Sequence, residues 1–222
     1  MNNQLNNQLP TPSNVVNLFP TAVGIYKNDN HREIKKVLTE MMKHAPFQEN
    51  EDCPRLIHYF DAGDSVLVKD ELKFLRDWVE EKALDFATET MGYSIDKLNV
   101  TDSWLNVSNR DAFQPPHMHV NSFISATYYV NKKKDHSPLI FIHPRNQNAP
   151  SASPIMSVNY SSRNLYQSDI PVDVEEGNLV IWESHLVHGY PPNEGDNRIS
   201  LSMNFMPSTV RHDRYSYETV RR

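Results

Sequence analysis

The sequence predicts a mainly β protein, a β-sandwich or barrel buttressed by N-terminal helices, and three observations carry that reading. Apolar residues at helical spacing are confined to the chain before Gly92. From Val100 onward the texture changes to short alternating or apolar runs separated by Pro, Asn, Asp and Gly clusters. At 222 residues the chain has material for one packed domain rather than two. Helices first and then a long β stretch is the order expected when helices cover one face of a β core.

Residues 1–13 are rich in Asn, Gln and Pro with little to bury, and are expected to form a flexible extension without chemistry. Residues 14–222 are expected to form one domain, with helical support over 31–92, a β core over 100–207 and a tail over 208–222. Val15 to Tyr26 mixes apolar and β-branched residues around Pro20 and Gly24, which predicts one or two short strands. A helix is predicted from about His31 to His44. A longer one runs from Asp70 to Met91, with Leu72, Leu75, Trp78, Val79, Leu84 and Phe86 as its apolar positions and Gly92 as its stop. Fifteen prolines against six glycines imply stiffened connections throughout.

Charge and cysteine content narrow the function classes. A net charge of -6 argues against a general polyanion binder, because phosphate affinity comes from accumulated Lys and Arg. Lys132 to Lys134 and the basic tail from Arg211 to Arg222 are local exceptions, read as solvated, so nucleic acid is not the expected partner. The one cysteine, Cys53, has no intrachain partner, and no charged-then-apolar leader opens the chain; both point to a reducing cytoplasm. No stretch approaches the roughly 20 apolar residues that a bilayer span requires, so no membrane partner is expected. Oligomeric state has no signature here.

Strand residues alternate sides with period two. In Ser103–Ser108 one face is Trp104, Asn106 and Ser108 and the other Leu105 and Val107. In Asn197–Met206 the even face is Arg198, Ser200, Ser202 and Asn204, and the odd face Ile199, Leu201, Met203 and Phe205. A sheet with one side in water would give the same pattern. A polar cavity is the alternative, with the odd face packed on the helices.

The histidines supply a reason for such a cavity. His117 and His119 stand two apart in Pro-Pro-His-Met-His, just before the strand-like run Ser122–Val130, so an extended chain projects both imidazoles from one side toward a single ion. A third donor is His188, after the apolar run Leu179–Trp182, with His185 as a nearby competitor. Arg198 follows ten residues later, past a turn rich in Pro, Asn, Gly and Asp. That turn predicts a hairpin with His188 and Arg198 on adjacent strands. The parity of His117 and His119 continues to Ser125, Thr127 and Tyr129, unless a bulge exchanges Tyr129 for Tyr128. His143 reads as structural or substrate-facing, and His31, His44, His58, His136 and His212 as surface or packing residues.

Together these segments resemble the 2-oxoglutarate/Fe(II)-dependent oxygenases, and are most similar to the phage and bacterial family of that kind. The likeness covers most of the chain: Asn-Leu-Phe-Pro-Thr, Ser-Trp-Leu-Asn-Val, Pro-His-Met-His with Ser-Ala-Thr-Tyr-Tyr-Val, Phe-Ile-His-Pro-Arg, and His-Gly with Arg-Ile-Ser-Leu-Ser-Met-Asn-Phe. The pairing of the distal His with Arg-x-Ser is its most specific part. The resemblance implies a double-stranded β-helix (jelly-roll, cupin-like) core, Fe(II) as cofactor, and 2-oxoglutarate and O2 as cosubstrates, with succinate and CO2 as coproducts of a hydroxylation. It implies His188 as the distal iron ligand, His117 as the first ligand, and Arg198 with Ser200 as the clamp on the far carboxylate of 2-oxoglutarate. Such a carboxylate fits a planar guanidinium plus a neighbouring hydroxyl. Asn106 and Tyr129, or Tyr128, are expected as further cosubstrate contacts.

This chain departs from the family at His119, where a carboxylate is usual. Three neutral imidazoles would leave the site one unit more positive than two histidines and an acid. Three ligand sets therefore stand open: the three histidines; His117 and His188 with water or an anion; or a set including Asn121, with the more distant Asp111 as a fourth possibility. Two rival readings accompany the oxygenase. A three-histidine cupin-type dioxygenase would not need Arg198 for a cosubstrate, and a non-enzymatic β-sandwich binding module would hold no stoichiometric metal. The prime substrate stays open between a prolyl or other protein side chain, a nucleobase and a small metabolite.

Overall fold

Each long strand has one apolar face to bury, and two amphipathic helices supply the surface to bury it against. A computed structural model describes residues 21–51, 53, 55–59, 65–142 and 169–219. Helix α1 (His31–Met42) buries Ile34 and Leu38, one turn apart on one stripe. Helix α2 (Lys73–Asp85) buries Leu75, Val79 and Ala83 at the same spacing. A π-type turn, Phe86–Thr90, extends it, and the chain leaves at Gly92 with φ +74°, a left-handed conformation in which a Cβ would be strained.

The strands are β1 (Gly24–Lys27), β2 (Phe47–Glu49), β3 (Leu56–Tyr59), β4 (Leu98–Ser108), β5 (Gln114–His117), β6 (Ile124–Asn131), β7 (Leu139–Ile142), β8 (Asp169–Val172), β9 (Asn178–Glu183), β10 (His188–Tyr190), β11 (Arg198–Pro207), β12 (Thr209–His212) and β13 (Tyr215–Glu218). They form a seven-stranded antiparallel sheet in the order β1-β9-β6-β11-β4-β3-β2 and a four-stranded one, β5-β10-β7-β8. After Pro207 the chain makes the separate hairpin β12–β13. Among the described residues no helix follows β4, and none is long and apolar enough to cross a membrane.

The odd face of β11 (Ile199, Leu201, Met203, Phe205) and Leu105 and Val107 of β4 pack with Ile34, Leu38, Leu75 and Val79 in the main core. A smaller core with Tyr129, Val180 and Trp182 from the large sheet and Leu139 and Phe141 from the small one joins the two sheets. The polar faces of β4 and β11 are thereby turned inward, between the sheets. The bulge between β11 and β6 falls at Ile199/Ser200, beyond Tyr129, so the parity of Ser125, Thr127 and Tyr129 is kept.

One expectation is corrected. His188 and Arg198 do not lie on adjacent strands of a hairpin: β10 sits in the small sheet between β5 and β7, and β11 in the large one between β6 and β4. Pro191 and Pro192 lack the N–H groups that would continue a ladder. Asn193, nearly fully buried, then ties the crossing chain down. Its Nδ2 donates to the carbonyls of Ser108 (3.1 Å) and Gly195 (2.7 Å), and its Oδ1 accepts from the Ser137 N–H (2.9 Å).

Candidate metal centre

His117 and His188 are direct partners in the β5–β10 register. Gly189 makes that pairing possible, since a Cβ there would lie 2.5 Å from the Gln114 carbonyl oxygen. His119 follows the end of β5 and is held by its own N–H, which donates to the Ser184 carbonyl at 3.0 Å. One ring nitrogen from each of the three histidines falls within a cluster no more than 4.8 Å across, a set able to hold a metal ion.

The outer nitrogens decide which atoms face the centre. His117 Nδ1–H donates to the Pro115 carbonyl (2.9 Å), His188 Nδ1–H to the Leu186 carbonyl (2.8 Å) and His119 Nδ1–H to Asn204 Oδ1 (2.5 Å). Fixing the proton on Nδ1 leaves the Nε2 lone pairs free, the tautomer a metal requires. The Nε2 atoms of His117 and His119 are 3.3 Å apart, and two lone pairs so close call for a cation between them. Burial, the largest cause in each case, pushes all three pKa values down, that of His188 to about 3, so the donors are neutral at pH 7.

Behind His119 runs a chain of polar groups. Ser125 Oγ contacts Asn204 Oδ1 (3.0 Å) and Ser184 Oγ (2.7 Å), and Ser184 Oγ donates to Ser122 Oγ (2.8 Å). Asn204 therefore fixes both the orientation and the proton of His119. Asn204→Ala should weaken binding of Co(II) or Ni(II) about 10- to 100-fold, the usual cost of losing such a buttress. Competition titration against a chelator checks this, and unchanged affinity would mean that His119 is aimed without Asn204.

Across the cavity stands Arg198, only 2% exposed. Its guanidinium lies 4.3 Å from the Tyr190 ring centre and 5.2 Å from that of Tyr129, and Nη2 donates to Tyr129 Oη at a long 3.5 Å. Its Nε has no hydrogen-bond partner, and among the described residues no carboxylate pairs with it. A buried charge with unfilled donors is an anion site in waiting.

The cavity between the histidines and Arg198 has a volume of about 240 Å³. Of the predicted site residues, His117, His119, His188, Arg198, Ser200, Asn106 and Tyr129 all line it. Asn106 Oδ1 accepts from His58 Nδ1–H (2.7 Å) and its Nδ2 donates to Ser202 Oγ (2.9 Å). Tyr128 does not line it: it faces the helices, with its hydroxyl 2.7 Å from His31 Nδ1. Asn121 is exposed at φ +56°, Asp111 pairs with Arg55 at 2.5 Å, and His185 is exposed; none joins the cluster. His143 and residues 1–13 lie outside the described residues. Tyr190 and His58 are among the lining residues that were missed. Tyr190 shares His188's strand parity, which is a legible signal; His58, read as a surface or packing residue, sits on the short strand β3, whose sequence carries none.

A β-sandwich with an open histidine triad on one inner face and a buried arginine opposite has the donors to hold a metal ion and an anion across one cavity. Residues 102–204 match a family model described as "Putative 2OG-Fe(II) oxygenase". That stretch runs from β4 into β11 and contains the histidine triad and Arg198, so the part of the chain similar to 2OG-Fe(II) oxygenases is the part that builds the site. No curated protein matches the sequence significantly. Among solved structures, the chain is similar to the α-ketoglutarate-dependent epimerase SnoN from nogalamycin biosynthesis (TM-score 0.62, 14% identity, 85% of this chain and 77% of that one). It is similar also to HygX from Streptomyces hygroscopicus, crystallised with nickel, 2-oxoglutarate and hygromycin B (0.58, 10%, 85% and 84%). A third is a Pseudomonas putida prolyl-4-hydroxylase (0.54, 11%, 84% and 93%). At such identities the likeness is one of fold, and it bears out the jelly-roll expectation.

Proposed function

We propose that the protein is a hydroxylase dependent on Fe(II) and 2-oxoglutarate, in which His117, His119 and His188 hold the iron and Arg198 with Ser200 binds the far carboxylate of the cosubstrate. The observation that carries this is the pairing across one cavity of three converging Nε2 donors with a buried arginine whose Nε has no partner. Three protein donors leave metal positions open for 2-oxoglutarate and O2. When bound, the iron supplies the oxidative chemistry: 2-oxoglutarate becomes succinate and CO2, and the second oxygen atom goes to a C–H bond of the substrate.

The protein's share is placement. The rings of Tyr129 and Tyr190 both lie against the Arg198 guanidinium and limit its movement, and the Tyr190 hydroxyl is itself held 2.8 Å from Ser108 Oγ. Asn106 and Ser202, tied to each other, form a fixed polar wall between the metal and anion ends. A substrate C–H must enter from the side left open by these groups. The single cysteine, Cys53, supports a cytoplasmic setting.

Anaerobic Fe(II)-loaded protein titrated with 2-oxoglutarate tests the reading through the weak visible metal-to-ligand charge-transfer band. The band should form and saturate. Iron binding without a response to 2-oxoglutarate would favour a three-histidine dioxygenase of cupin type, and failure to hold iron would leave a binding module.

A further inference from the structure

The charges around the cavity do not balance once metal and cosubstrate are in place, and this points to the substrate. Among the described residues that line the cavity there is no Asp or Glu. Arg198 is the one fixed ion in that wall, and the three histidines, each donating through Nδ1–H, are neutral ligands. Asp102, the acid that acts on His119, is an exposed residue of β4 and is screened by water. A divalent cation and Arg198 together bring three positive charges, and 2-oxoglutarate returns two. One positive charge is left over in a partly buried pocket, where an uncompensated charge is costly. A carboxylate in place of His119 would have cancelled it. The excess is local, because the chain as a whole carries -6.

We propose that the loaded site takes a further anion beside the metal, and that the prime substrate carries an anionic group of carboxylate type that fills this position. The proposal rests on the oxygenase reading above and deepens it. A net cation in the pocket attracts an anion over a neutral molecule of the same shape, and an anion seated beside the metal leaves the last metal position to O2 during turnover. A free small anion such as chloride would answer the same chemistry, and the experiment separates the two sources.

The visible d–d spectrum of the Co(II)-loaded protein reads this without turnover. Co(II) uptake and then a spectral response to 2-oxoglutarate come first; if either fails, the oxygenase reading falls and the anion proposal with it. To the Co(II)–2-oxoglutarate form are then added azide, chloride, acetate and the neutral analogue acetamide. Saturable shifts with azide, and with acetate at least tenfold tighter than with acetamide, are expected. Acetate tighter than chloride assigns the position to a substrate carboxylate, and chloride tighter than acetate assigns it to a free anion. His119→Asp should weaken azide binding roughly tenfold or more by restoring the missing negative charge. Should that variant not fold, the acetate and acetamide comparison in the wild-type protein stands alone. No response to any anion, equal affinity for acetate and acetamide, or unchanged azide affinity in a folded, Co(II)-binding His119→Asp protein would overturn the proposal.

Discussion

Replacing Arg198 by methionine should weaken 2-oxoglutarate binding about 100-fold or more while leaving the metal-free protein as stable as before, or more so. The two halves of this result share one cause. In the free site the guanidinium is 2% exposed, its Nε has no partner, and its compensation is a long contact to Tyr129 and two aromatic faces. Cation–π contacts contribute about 0.5–2 kcal/mol each, less than the several kcal/mol that removing a cation from water costs. A methionine of similar length would be neutral or stabilising by about 1–4 kcal/mol, as when buried ions are exchanged for apolar groups. The cosubstrate would lose two or more charge-assisted hydrogen bonds of about 1.5–3 kcal/mol each, and each 1.4 kcal/mol is a factor of ten. Thermal unfolding of the metal-free variant and the charge-transfer titration check the two halves separately. A large fall in stability with unchanged 2-oxoglutarate affinity would make Arg198 a structural residue.

The second large effect is on stability against pH. Without metal, His188 resists protonation in the fold, its pKa held down to about 3 chiefly by burial and then by the neighbouring His117. The unfolded chain takes up that proton near pH 6.5. Stability is therefore full above pH 6.5 and falls as the pH drops from there toward 3, because the unfolded state binds more protons than the native one. At pH 5 the loss from His188 alone is about 2 kcal/mol. His117 and His119 act in the same direction. Urea unfolding of chelator-treated protein at pH 7 and pH 5 should show this loss, and His188→Gln should remove most of it. A wild-type midpoint independent of pH would contradict the burial of the triad.

The site was legible where side-chain periodicity carries it and illegible where tertiary packing does. Alternation along β4 and β11 separated the core residues Leu105, Val107, Ile199, Leu201, Met203 and Phe205 from the cavity residues Trp104, Asn106, Arg198, Ser200 and Ser202, because a period of two admits one assignment per face. The pair His117/His119 was legible for the same reason. His188 was found, yet its strand was placed beside that of Arg198. A polar turn with Gly looks alike whether the chain reverses within a sheet or passes to another, and only the buried bonds of Asn193 distinguish them. His58 was missed because a four-residue strand gives too short a pattern to fix a face. Tyr128 and Tyr129 were separable only once the bulge was located at Ile199/Ser200.

The pairing of His117 with His188 also bears on how the sandwich holds together. Pro115 and Pro116 leave β5 with few amide donors, so this strand is weakly fastened to β10 by its backbone. A cation gripped by both imidazoles would act as a rivet between two strands that are otherwise loosely stitched. Metal loading would then slow amide hydrogen exchange around Gly189 and raise the unfolding temperature in proportion to the logarithm of free metal. In such a protein the starved, metal-poor form would be the one most exposed to proteolysis, and iron supply would set the lifetime of the chain as well as its activity.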